Sequence, residues 1–95
     1  MIISQLSISP VGKDISLSKY VKIAITSIKN EGIKFKTNAM ATVIETEDLD
    51  TLFDAVKKAH HAVLLSGAKR VITELKIDDR KDKDASIEKK IKSVQ

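Results

Sequence analysis

Cysteine and tryptophan are absent from this 95-residue chain, and Tyr20, Phe35 and Phe53 are its only aromatic residues. Without thiols there is no disulfide framework, no thiolate metal site and no thiol nucleophile. That composition suits a reducing compartment, so a cytoplasmic location is expected. With so few aromatic rings, the core must be built from Ile, Val and Leu, helped by Phe35 and Phe53. The three glycines, Gly12, Gly32 and Gly67, lie too far apart to form a phosphate-cradling loop. No segment approaches the roughly 20 apolar residues of a membrane helix, and MIISQLSIS lacks a basic n-region and a cleavage site. A membrane partner and a processed leader are therefore not expected.

Hydrophobic residues make up 42% of the chain and charged residues 32%, which separates it from disordered sequences. The length suits one domain spanning 1–95 with a single modest core. The net charge of +4 comes from 17 basic and 13 acidic residues and is spread without a basic block. Fifteen of the basic residues are lysines, which recognise phosphates and bases less specifically than arginine does. Such a surface reads as solvated rather than as a nucleic-acid interface.

Ile2 to Ser9 alternates, with Ile2, Leu6 and Ile8 on one face and Ile3, Gln5, Ser7 and Ser9 on the other. Pro10 and Gly12 end that strand. Ser16 or Ser18 can cap a helix whose stripe is Leu17, Tyr20, Val21, Ala24, Ile25 and Ile28, closed by Gly32. Ile33–Thr37 reads as an edge strand guarded by Lys34 and Lys36, and Met40–Thr46 as a more central one, with Asn38-Ala39 as the turn. Glu47, Asp48 and Asp50 favour a helix start. The stripe of that helix is Leu49, Leu52, Phe53, Val56, His60, Val63 and Leu64, and Gly67 closes it. Lys69–Ile77 is a fourth strand. A charged connection leads to a short helix, capped by Ser86, whose edge is Ile87, Ile91 and Val94. The order β-α-β-β-α-β-α predicts an α+β, ferredoxin-like fold: a four-stranded antiparallel sheet, both main helices on one face, and an extra C-terminal helix. The second sheet face then needs water, a ligand or another subunit.

Catalysis finds little support. His60 and His61 are adjacent on a helix and point about 100° apart, so they do not chelate one ion together, and no third histidine exists. No serine sits in a nucleophile elbow. No metal site, cofactor or catalytic residue is assigned, and no enzymatic activity is expected. RNA-recognition domains share this topology but stack bases on aromatics of the two central strands, which IISQLSIS and MATVIET lack. What remains on the second face is Gln5, Ser7, Ser9, Glu45, Arg70 and Glu74. Those groups suit either a small-ligand pocket or a solvated carboxylate paired with a cation.

The ordered motifs resemble the thiamine-binding proteins of the YkoF-like superfamily over nearly the whole length. They are Ser7-Pro10-Gly12, Ser16-Tyr20-Val21, Thr42-Glu45-Glu47, the run from Gly67 through Arg70, Val71, Thr73, Leu75, Lys76, Ile77 and Asp78 to Arg80, and the closing Lys90-Ser93-Val94. The resemblance implies a ferredoxin-like fold, homodimers or homotetramers formed through the sheets, and non-catalytic binding of thiamine or its hydroxymethylpyrimidine moiety near a subunit interface. It implies a site made of Ser7, Ser9, Thr42 and Glu45, with Glu45 accepting from the ligand's amino group. Alternation alone aims Thr42 at the opposite face, so its inclusion requires a bulge. The family commonly carries Gly where this chain has Thr46. A homo-oligomeric interaction module with no dedicated ligand is the alternative reading.

Overall fold

The computed structural model describes residues 1–12 and 16–95. Its elements are β1 (Ile2–Pro10), α1 (Leu17–Asn30), β2 (Lys34–Thr37), β3 (Thr42–Thr46), α2 (Leu49–Leu65), β4 (Val71–Asp78) and α3 (Ile87–Lys92). The strands form one antiparallel sheet in the order β2-β3-β1-β4, the ferredoxin-like arrangement.

Alternation decides which side chains meet the helices. Ile2, Leu6 and Ile8 of β1 and Ile44 of β3 pack with Tyr20, Ala24 and Ile28 of α1 and Leu52, Ala55, Ala59 and Val63 of α2. Alanines at α2's inner positions let that helix lie close to the sheet. Phe35 packs against this core, but Phe53 does not join it: it is 49% exposed on the flank of α2. The small aromatic complement of the core is therefore Tyr20 and Phe35 alone. His60 Nδ1 lies 2.6 Å from Thr73 Oγ1, which satisfies the ring at the core margin.

The helix ends show why these segments stop where they do. Asp48 caps α2 by accepting from Thr51 N at 2.7 Å, a bond that holds its carboxyl below the ordinary value. Ser86 caps α3 by accepting from Lys89 N at 3.0 Å. Ser16 occupies the N-cap position of α1, yet its side chain makes no capping bond. Gly32 follows α1 at φ +71°, a left-handed conformation that a β-carbon would strain.

Two strands begin two residues later than the alternation pattern places them, one being β4, which starts at Val71 rather than Lys69. β3 begins at Thr42 rather than Met40, because Asn38 Oδ1 accepts from the backbone N–H groups of both Met40 (2.9 Å) and Ala41 (3.0 Å). This side-chain turn draws Met40 out of the ladder, and Asn38 N closes the hairpin on Ala41 O at 2.9 Å. The second sheet face is also not fully open. α3 folds back over one end of it, where Ala85 and Ile87 bury Ile3 and pack on Val43.

Candidate functional site

The peptide groups of an antiparallel strand point alternately to its two neighbours. Val11 N donates to Arg70 O at 2.9 Å, continuing the register in which Pro10 faces Val71. The odd-numbered residues of β1 thus turn their peptide groups to β4 and the even-numbered ones to β3. The hairpin bond from Asn38 to Ala41 gives the matching phase on β3, whose even-numbered residues face β1. Ile2, Ser4 and Leu6 accordingly pair with Thr46, Ile44 and Thr42.

β1 outruns β3. Its ladder with β4 continues to Pro10, whereas the ladder with β3 stops at Leu6. The next group that would face β3 belongs to Ile8, and its partner position is Met40, whose N–H is taken by Asn38. Among the described residues no backbone group meets the N–H and C=O of Ile8 on that side. Pro10, next in phase, has no N–H to leave unpaired. The notch opens into a cleft of about 170 Å³ between α1 and the sheet. Leu6, Leu17, Val21, Ala24, Ile25 and Ile28 supply its apolar wall, while Thr37, Asn38 and Thr42 supply the polar side. The Thr37 and Thr42 hydroxyls lie 3.2 Å apart.

The four residues expected to share a site do not converge within one protomer. Thr42 faces the helices in regular alternation, with no bulge in the β1–β3 register. Ser7, Ser9 and Thr42 all border the cleft, the serines through a strand whose alternation sends their side chains to the outer face. Glu45 lies elsewhere. It pairs with Ile3, four residues from Ser7 and therefore about 13 Å along the strand. It is only 9% exposed, and its Oε1 accepts from Ile87 N at 2.9 Å. Its Oε2 lies 3.9 Å from Lys34 Nζ, and Lys34 also pairs with Glu88 of α3. That contact raises the Lys34 pKa and lowers the Glu88 pKa. Glu45 thus holds the start of α3 against the sheet.

A wider groove of about 500 Å³ runs between α3 and the outer face. Ile3, Val43, Ile87, Ile91 and Val94 line it, with Gln5, Lys36, Lys76 and Lys90 among its polar groups. The cleft under α1 was missed from sequence because it depends on the Asn38 turn. The signal that could have found it is the mismatch between a nine-residue β1 and a five-residue β3. Among the described residues no group of three metal-ligating side chains comes together, and no helix is long and apolar enough to cross a membrane.

A family model for thiamine-binding proteins matches residues 4–95. The chain belongs to the thiamine-binding protein family. It is 45% identical over 96 residues to a UPF0045 protein of Methanothermobacter thermautotrophicus, covering all of this chain and 97% of the relative. A crystal structure of a hypothetical protein from Methanocaldococcus jannaschii superposes with a TM-score of 0.88 at 48% identity, covering 98% of this chain and 94% of that one. A Thermotoga maritima protein, provisionally described as a thiamine biosynthesis or salvage protein, gives a TM-score of 0.84 at 26% identity, covering 99% and 98%. The family is named for binding rather than for a reaction.

Proposed function

We propose that this family member is a non-catalytic binding protein for thiamine or its hydroxymethylpyrimidine moiety, held in the cleft between α1 and the sheet. The observation that carries this reading is the free edge of Ile8: one backbone donor and one acceptor, side by side, aimed into an apolar cleft. A 4-aminopyrimidine presents the complementary pair on one edge, a ring nitrogen that accepts and an amino group that donates. Such a ring can take the place that Met40 leaves vacant in the ladder. Leaving two buried backbone groups unpaired is costly, so filling the notch is favourable.

The hydroxyls of Thr37 and Thr42 and the NH₂ of Asn38 then fix the ring's orientation. Leu17 and Met40, 55% and 87% exposed, stand by the cleft as apolar surface for the ligand to cover. No charged residue lines the cleft among the described residues. The neutral pyrimidine therefore belongs inside it and the cationic thiazolium of thiamine at the mouth. Ser7 and Ser9 act through the strand edge they frame. Glu45 acts on α3 rather than on the ligand.

Thermal unfolding with and without millimolar ligand tests this, since a ligand that binds only the folded form raises the melting temperature. Hydroxymethylpyrimidine and thiamine should both raise it, and Thr42→Val should reduce the rise for both. A rise for thiamine alone would contradict the placement of the pyrimidine in the cleft. No rise for either would favour the second reading, an interaction module that uses the apolar groove beside α3.

A further inference from the structure

One cross-strand row of the outer sheet face is bracketed by cations. In register, Lys36 of β2 faces Val43, Val43 faces Gln5, and Gln5 faces Lys76 of β4. Two ammonium groups thus flank a valine and a carboxamide on the side away from the main helices. The groove between this row and α3 holds about 500 Å³, within the size range of small-molecule sites.

The walls of the groove are apolar and only partly covered. α3 is seated at its first turn, where Ile87 is buried on Ile3. One turn on, Ile91 is 38% exposed, and Val94, just past the helix, is 84% exposed, yet both line the groove. No aromatic ring contributes to the lining, so branched aliphatic surface faces branched aliphatic surface. The charge of the lining is one-sided. Asp78 is its one carboxylate among the described residues, and it pairs with Lys90. Lys36 and Lys76 make no ion pair among the described residues. Of the other carboxylates on this side, Glu45 and Glu88 are engaged by the Ile87 amide and by Lys34, and Glu74 lies outside the lining. An occupant that is apolar along its length and anionic at one end answers both features. A neutral apolar molecule leaves the lysines unanswered, and an inorganic anion leaves the walls uncovered.

We infer that this groove is a second ligand site, separate from the cleft under α1, and that it takes an aliphatic carboxylate such as a medium-chain fatty acid. The chain lies between α3 and the sheet, against Val43, Ile91 and Val94. From Ile87 to Val94 is about 10 Å along the helix axis, a length that an extended chain of about eight to ten carbons fills. The carboxylate sits over Gln5, whose carboxamide donates to it, and the long stems of Lys36 and Lys76 bring their ammonium groups in from either side. Filling the gap covers Ile91 and Val94 and ties the end of α3 to the sheet.

Amide chemical shifts followed during titration with decanoate, at fixed protein concentration and up to millimolar ligand, test the site. The amides of Gln5, Val43, Ile91 and Val94 should shift and saturate, while those of Ile25 and Thr37 beside the α1 cleft stay in place. Decanol has the same chain without the charge and should bind roughly tenfold more weakly. The variant K36Q/K76Q should weaken decanoate by roughly that factor and leave decanol unchanged. Both lysines are exposed, so the variant keeps its fold. Val94 is exposed too, and Val94→Asp should weaken decanoate by placing a negative charge in the wall. Equal affinity for decanoate and decanol overturns the assignment, as does decanoate binding that survives K36Q/K76Q or Val94→Asp unchanged. Saturating shifts at Ile25 and Thr37 alone, or no saturation at millimolar ligand, also overturn it. Groove amides that move when the ligand-free protein is diluted, and not when decanoate is added, would assign the groove to a second copy instead.

Discussion

Glu45 and Asn38 show how one side chain can decide what a neighbouring backbone does. Glu45 is a buried carboxylate whose listener is the Ile87 amide, 42 residues away. Alternation placed it correctly on the outer face but could not reveal the helix that folds back to meet it. Replacing Glu45 with Gln keeps an acceptor oxygen and should cost under about 1 kcal/mol. Glu45→Ala leaves the Ile87 N–H buried without a partner and should cost about 2 kcal/mol. Chemical denaturation measures both, and neither substitution should change the response to a pyrimidine ligand, because the cleft lies on the other face. A loss of ligand response in Glu45→Gln would return the carboxylate to the binding site. Asn38 is the opposite case: a polar residue in an ordinary turn whose carboxamide sets where β3 begins, and so opens the notch at Ile8.

The elements themselves were legible where periodicity was strong. The alternating strands and the α1 and α2 stripes follow from burial on one face, and the structure places them as expected. The exceptions were Leu17 of α1 and Leu49, Phe53 and Leu64 of α2, which the stripes included but which stay exposed at the edges of the helix faces. Capping sets the acid limit of α2. Folding holds the Asp48 carboxyl below its ordinary 3.8 through the Thr51 amide, so the native state takes up a proton less readily than the unfolded chain. The cap's contribution is therefore complete above pH 3.8 and fades as pH falls through the lower folded value. Asp48→Asn retains a capping oxygen but cannot titrate. Its stability should match the original protein near neutrality and fall less steeply below pH 4, as followed by thermal melts across that range.

At the scale of the whole molecule, one sheet separates two hydrophobic clusters of unequal size. The larger lies under α1 and α2 and joins every strand, whereas the smaller consists of Ile3, Ala85 and Ile87 with Val43 beside them. The topology foretold the first cluster, and an uncovered second face with a short helix in need of a docking surface foretold that something would meet there. It could not say that the two needs answer each other, because the charged connection from Asp79 to Asp84 carries no pattern. Among the described residues, the small cluster, the Glu45 contact and the Lys34–Glu88 and Lys90–Asp78 pairs hold α3 to the sheet. Burial of Ile87 and Ala85 with part of Ile3 is worth roughly 2–4 kcal/mol, less than a domain's global stability. α3 should therefore open on its own. Native-state hydrogen exchange should give the amides of Lys90 and Ser93, bonded to Ser86 O and Lys89 O, a smaller opening free energy than those of Ser4 and Leu6 in β1. Equal values at both places would mean that the sheet unfolds whenever α3 leaves, and that the C-terminal helix belongs to the same cooperative unit as the main core.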